Sequence, residues 1–216
     1  MQAARYYISF QLLKASESVL GAVVCCSGCF SAYRRSAIEP LLEPWEAQTF
    51  LGAPCTFGDD RSLTNMVIRA RFRTIYHSGA LAWTQVPDTY RGFFRQQQRW
   101  KKSWLRETPI FLGHVWRSRP VAFPSTFVTT VAGFASPIVL IVNLVLYPAL
   151  GLALPVIYLL GLILIALAYG IFHHTMSGSS QWKWAVVGTG FYVLFAPQMF
   201  WALARVRDGS WGTRAA

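Results

Sequence analysis

Between Val121 and Trp182 the chain contains no Asp, Glu, Lys or Arg. A helix crosses the ~30 Å hydrocarbon core of a bilayer with roughly 20 apolar residues. A charge-free stretch of this length therefore holds two crossings, placed at about 124–147 and 154–173. The loop between them, Pro148–Pro155, is short and uncharged, as an external turn should be. The rest of the chain differs in kind. Eight of the nine acidic residues fall at or before Glu107. The sequence thus reads as a water-facing half, a boundary near residues 104–120, and a membrane half.

The net charge of +11 admits nucleic acid as a partner, but no nucleic-acid-binding module is visible. The basic residues instead border the apolar stretch. Arg91, Arg95, Arg99, Lys101, Lys102, Arg106, Arg117 and Arg119 all precede the first crossing, where cytoplasmic charge accumulates. Such charge also suits anionic headgroups and nucleotide phosphates. Cys26 and Cys29 form a C-x-x-C, but no second pair follows to complete a zinc site. Packed, reduced thiols are the plainer reading. Met1–Phe10 lacks the basic head and long apolar core of a signal peptide.

Local patterns place the elements. Ala3–Ser18 forms an amphipathic helix, and Val19–Cys26 reads as a buried strand broken at Ser27-Gly28. Phe30–Leu42 is a turn into a short helix, limited by Pro40 and Pro44. Gly52–Phe57 is a loop and Ser62–Ala70 a helix. Thr74–Ser78 and Leu81–Val86 are strand-like. Asp88 or Thr89 caps a helix carrying Arg99 and Trp100. Alternating strands and helices predict an α/β layer fold ahead of the membrane helices. Residues 104–120, aromatic and basic, suit a helix lying in the interface. Trp182–Val206 has Lys183 at one end and Arg205 and Arg207 at the other. Positive charge on both flanks predicts an interfacial or re-entrant helix.

Four short motifs carry chemistry. Gln96-Gln97-Gln98-Arg99-Trp100 fits Gln-x-x-Arg-Trp. Gln96 and Arg99, one turn apart, share a helix face. Arg99 can clamp a diphosphate through two hydrogen bonds, and Trp100 offers a flat plate for a sugar ring. The plainer reading is a basic, aromatic helix at the bilayer surface. In Cys55-Thr56-Phe57-Gly58-Asp59-Asp60-Arg61, glycine allows a tight turn that presents two acids at a helix start. One of them can act as general base, or either can simply cap the helix. Cys25-Cys26-Ser27-Gly28 ends the buried strand, a common binding position in α/β folds. Trp211-Gly212-Thr213-Arg214 lies near the C-terminus and, taken alone, is a polar tail.

Together, in this order and beside apolar spans, the motifs resemble those of the hyaluronan synthases, within the processive glycosyltransferases that include chitin and cellulose synthases. The resemblance runs over nearly the whole chain. It implies a partial glycosyltransferase A-type α/β domain over 1–103, an interfacial helix over 104–120, two transmembrane helices within 121–181, an interfacial or re-entrant helix over 182–206, and a gating-loop motif in 207–216. It makes Asp60 the general base, with Asp59 and Arg61 beside it in Gly-Asp-Asp-Arg. It gives Arg99 the UDP diphosphate, Trp100 the floor of the acceptor site with Gln96 in the same motif, and Cys55 the pocket wall. The family's Cys-Ser-Gly-Pro motif falls on Cys26, Ser27 and Gly28, with Cys29 in place of proline. Trp211 and Arg214 take the role of closing over bound UDP.

The implied partners are UDP-GlcNAc, UDP-glucuronate, the growing polysaccharide and a lipid bilayer, with no nucleic acid. The implied location is the cell membrane, multi-pass, with the catalytic part cytoplasmic. Gly-Asp-Asp-Arg and the Trp-Gly-Thr-Arg loop point toward hyaluronan synthases rather than makers of chitin oligomers, which remain an alternative. The family also uses Mg²⁺ or Mn²⁺ held by an Asp-x-Asp. This sequence contains no Asp-x-Asp, so a fragment, a truncated reading frame or a non-catalytic pseudoenzyme or partner subunit is a competing reading. A small transporter would need charges within the spans, and they contain none.

Overall fold

The structure is a computed structural model that describes residues 1–152 and 155–208. The chain folds as two compact units: Met1–Leu13 with Thr129–Gln198, and Lys14–Val128 with Met199–Ala216 as far as the latter is described.

The second of these contains the motifs over residues 26–100. It begins with α2 (Ala15–Val19), separated by a π-helical stretch, Ser9–Lys14, from α1 (Gln2–Ile8). Helix α3 (Arg35–Glu46) follows, then a hairpin of β1 (Thr49–Phe50) and β2 (Ala53–Pro54), then α4 (Asp59–Arg69) and α5 (Tyr90–Ser118). Pro40 and Pro44 lie inside α3 and do not limit it. Each proline frees one carbonyl four residues back. At i, i+4 spacing both breaks fall on one exposed side, where water satisfies them. Ala37, Leu41 and Trp45, about 100° around the helix, keep the neighbouring face against the protein.

The α/β expectation is met only thinly. The expected buried strand Val19–Cys26 starts with Val19 exposed at the end of α2, and it forms one parallel bridge, Ala22 to Thr74, with Val23 N–H donating to Thr74 O. Residues 81–86 have no regular structure and are exposed, Trp83 at 91%. The sequence pattern is strand-like in both places, but a parallel strand needs neighbours on its edges. Among the described residues only the bridge and the two-residue hairpin pair. The core lies instead between helices: Ile68 of α4 meets Phe111 and Val115 of α5, with Ala22 and Ala122.

Helix α5 is capped as its sequence predicts, the Thr89 hydroxyl accepting from Gly92 N–H at 3.2 Å. It then runs without interruption past residue 103, where the sequence suggests a separate interfacial helix, and through Pro109. Gln-x-x-Arg-Trp and the aromatic, basic segment thus share one rod. By the ~1.5 Å rise per residue that rod is roughly 43 Å long.

In the other unit, the long apolar helical stretch Pro120–Ala149, which begins in the motif-bearing unit, contains α6 (Phe123–Ile141), a π-helical stretch and α7 (Tyr147–Ala149). It and α8 (Val156–Ser177) are long and apolar enough to cross a membrane. Helix α9 (Trp182–Leu194) packs on α8. They approach so closely that a Cβ at Gly170 would stand 2.6 Å from Val186 Cγ2, as small residues permit between membrane helices. Ala4 and Ile8 of α1, one turn apart, meet Ala185 of α9. The Arg5 guanidinium lies 3.6 Å from the centre of the Tyr192 ring. Helix α10 (Gln198–Ala204) follows α9 after a break at residues 195–197.

Candidate active site

The Gly58-Asp59-Asp60 turn is fixed from two sides. Gly58 takes the left-handed conformation, φ 77°, at the N-cap of α4. Neither aspartate is the N-cap residue, a position Gly58 holds, although the Asp60 side chain does satisfy one free amide of the first turn, that of Arg61. Both carboxylates stand in the first turn, where the positive end of the helix dipole favours them. Asp59 is exposed. Asp60 is half-buried, its Oδ2 accepting from Gly28 N–H at 3.2 Å and its Oδ1 from Arg61 N–H at 2.8 Å. Gly-Asp-Asp-Arg and Cys-Ser-Gly, which lie 32 residues apart, are thereby joined through one carboxylate.

Thr64, one turn along α4, strengthens the join. Its hydroxyl donates to Asp60 O at 2.6 Å and accepts from Cys26 N–H at 2.9 Å. Lys14 Nζ donates to Ser27 Oγ at 2.5 Å. Burial pushes the Cys25 thiol up to about 11, against the lowering influence of Arg61. It raises Cys26 as well, with Thr64 and Lys14 acting the other way. These cysteines are thiols at neutral pH, packed and free of disulfides, and they are poor nucleophiles. Neither Lys14 nor Thr64 carries a sequence signal of its own. Their roles come from three-dimensional proximity alone.

The second support comes from α5. A Cβ on Gly58 would collide with Ser103 Oγ and come within 3.2 Å of Arg106 Nη2. Phe57, buried, lies beneath the Lys102 ammonium at 4.6 Å and the Arg106 guanidinium at 5.2 Å from its ring centre. Gly58→Ala therefore combines left-handed strain with overpacking and should cost about 1–3 kcal/mol. Unfolding of the purified chain in detergent measures it. Adding Ser103→Gly should recover the packing part only. A Gly58→Ala protein as stable as the parent would contradict the contact.

Gln96, Arg99 and Trp100 lie one to two turns before Ser103 on the same helix. Gln96 and Arg99 are half-buried and Trp100 is partly exposed. The most buried residue of that turn is Gln97, at 4% exposure, which sequence spacing does not single out. Cys55 and Phe57 line a narrow cleft with Arg106, Val206 and Arg207. Burial raises the Cys55 thiol, and Arg106 opposes that shift. Lys102 Nζ donates to Asp208 O at 2.6 Å, tying α5 to the segment after α10. Trp211 and Arg214 lie outside the described residues.

The Asp60 carboxylate thus stands on a glycine-permitted turn, joined to the Cys-Ser-Gly loop and packed against the helix that carries Gln-x-x-Arg-Trp. The model Glycosyltransferase like family 2 matches residues 1–103. Residues 1–103 of this chain belong to glycosyltransferase family 2. An N-acetylglucosaminyltransferase of Azorhizobium caulinodans is 47% identical over 107 residues, 50% of this chain and 27% of that protein. A hyaluronan synthase of Streptococcus pyogenes is 34% identical over 212 residues, 97% of this chain and 50% of that protein. Hyaluronan synthase 3 of Xenopus laevis is 43% identical over 107 residues, 50% of this chain and 19% of that protein. The chain spans half or less of the length of each of these relatives.

Divalent cations need several oxygen ligands converging. Among the described residues no three His, Cys, Asp or Glu side chains do so. The described residues thus offer no such group to Mg²⁺ or Mn²⁺.

Proposed function

We propose that this chain is the acceptor-side segment of a membrane-bound, inverting glycosyltransferase that polymerises UDP-sugars, in the manner of a hyaluronan synthase, and exports the product. The observation that carries the reading is the Asp60 carboxylate, bound to Gly28 N–H and Arg61 N–H at the start of α4. Each of its oxygens accepts one backbone donor and keeps lone-pair capacity for another. An acceptor-sugar hydroxyl placed there transfers its proton to Asp60 as its oxygen bonds to the anomeric carbon of the donor. The bond from that carbon to UDP breaks, and the electron pair leaves with UDP. Arg99 binds the departing diphosphate, Trp100 floors the acceptor ring with Gln96 beside it, and Cys55 walls the pocket. Trp211 and Arg214 close over UDP.

The apolar helices Pro120–Ala149 and Val156–Ser177 anchor the segment in the membrane and border the polymer's path. Similarity over 97% of the chain to a hyaluronan synthase favours UDP-GlcNAc and UDP-glucuronate as substrates. The higher identity, over half the chain, to an N-acetylglucosaminyltransferase favours a second reading, a transferase using UDP-GlcNAc alone.

The test places this segment in a full-length relative, in membranes supplied with radiolabelled UDP-GlcNAc, with and without UDP-glucuronate. Polymer that forms only with both donors, and that hyaluronan lyase degrades, supports the first reading. Labelled product from UDP-GlcNAc alone supports the second. A correctly inserted chimera with no transfer from either donor refutes both.

A further inference from the structure

A second basic site lies apart from the Asp60 turn, where α4 ends against the last turns of α5. A cleft of about 440 Å³ opens there, lined by Arg69, Arg71, Ile110, Gly113, His114, Arg117 and Ser118. It holds three guanidinium groups and no carboxylate. Among the described residues none of Arg69, Arg71 and Arg117 forms an ion pair. Like charges gathered at one cleft repel one another, so an entering anion is attracted, although all three side chains are exposed and Arg117 also lies 4.2 Å from the centre of the Trp116 ring.

The backbone is also unusual here. Helix α4 ends with Arg71 N–H donating to Ile68 O and Phe72 N–H to Val67 O. This is the Schellman pattern, whose left-handed position glycine normally fills. Arg71 occupies it at φ 68°, at a steric cost of about 1 kcal/mol. Its carbonyl is pinned by Arg119 Nη2 at 2.6 Å, so the side chain is displayed from a fixed base. At the floor, His114 Nδ1 lies 3.3 Å from Ser118 Oγ, while its Nε2 is shielded from solvent without a hydrogen-bond partner. Burial, helped by the Arg69 charge, pushes His114 down to about 4. The imidazole is therefore neutral near pH 7, and the positive charge rests on the arginines.

We propose that this cleft binds a phosphate group, with Arg69, Arg71 and Arg117 as guanidinium donors and His114 at its floor. Guanidinium forks match phosphate oxygens two at a time, and the volume accommodates a phosphate with part of its ester. The source is either a soluble phosphate or a lipid headgroup. His114 lies six residues before Pro120, where the first long apolar stretch begins. That short stretch of chain keeps the cleft within reach of a headgroup layer. The site needs nothing from the transferase reading.

The full 216-residue chain with ¹⁵N-labelled histidines, in a zwitterionic detergent at constant ionic strength, tests the proposal. Inorganic phosphate is titrated in one arm and phosphatidylglycerol in mixed micelles in the other. The His114 imidazole resonances, assigned by their loss in His114→Gln, should shift saturably. A shift in the phosphate arm identifies a soluble ligand, and a shift confined to the phosphatidylglycerol arm identifies a headgroup. Arg69→Gln and Arg117→Gln alter exposed side chains and should each weaken the titration about tenfold or more, the loss of a charge-assisted hydrogen bond. No saturable His114 shift in either arm, or a shift unchanged in both arginine variants, overturns the proposal.

Discussion

Asp60→Asn should lower polymer synthesis by about 10²–10⁴-fold in a full-length relative carrying this segment, the range that general-base catalysis supplies. The substitution keeps the shape and removes the proton acceptor. It also has a small local cost. Asp60 accepts one backbone N–H on each oxygen, whereas an amide offers one oxygen and one NH₂. One of Gly28 and Arg61 then faces a donor and exchanges its partner for water, at about 0.5–1.5 kcal/mol. Asp59 separates the two effects. It is exposed, and what the structure bonds is its backbone carbonyl, to Trp45 Nε1 at 3.3 Å. Asp59→Asn should therefore change synthesis only a few-fold. Steady-state kinetics of labelled-sugar incorporation decide the matter: for Asp60→Asn the loss should fall on kcat, with KM for the donor nearly unchanged. Wild-type synthesis by Asp60→Asn, or equal losses from both variants, would remove Asp60 from the chemistry.

The residues that are legible in the sequence are those whose signal is local. Thr89 caps α5 because a hydroxyl three residues ahead of an amide suffices. The two long apolar helices follow from the absence of charge, which no packing detail can reverse. Gly58 announces its turn because few other residues tolerate φ 77°. The strands are the opposite case. Val19–Cys26 has the apolar, β-branched character of a strand, but β structure exists only in pairs, and among the described residues this run pairs through a single bridge to Thr74. Pro40 and Pro44 mislead because a proline's penalty depends on where the freed carbonyl points, which sequence does not state. At the candidate site, Asp60 and Gly28 are each visible as motif members, but the hydrogen bond joining them is not. Lys14, Thr64 and Ser103 are invisible for the same reason: a serine, threonine or lysine becomes a site residue only when folding brings it to one.

Arg106 and Glu107 make the strongest case of that kind, and they carry the largest expected effect on stability. As neighbours in a basic, aromatic segment they read as solvated charge. In the structure they are 3% and 2% exposed, with Arg106 Nε donating to Glu107 Oε1 at 2.6 Å. Asn65 Nδ2 donates to Glu107 Oε2 at 2.8 Å and to Glu107 O at 3.1 Å, tying α5 to α4. A pair this buried is costly to desolvate, so its presence adds little net stability, but breaking it leaves one charge stranded. Glu107→Ala should therefore destabilise the chain by about 3–5 kcal/mol. Arg106→Met with Glu107→Leu removes both charges together and should cost less than Glu107→Ala alone, although it leaves Asn65 without its side-chain acceptor. Denaturant unfolding of the purified chain in detergent, monitored by tryptophan fluorescence, gives both numbers. The effect should also reach the chemistry, because Arg106 lies over Phe57 and beside Gly58. Losing its anchor frees the turn that aims Asp60. A Glu107→Ala chain within about 1 kcal/mol of the parent, the scale of an exposed ion pair, would mean that this network does not hold the two helices together.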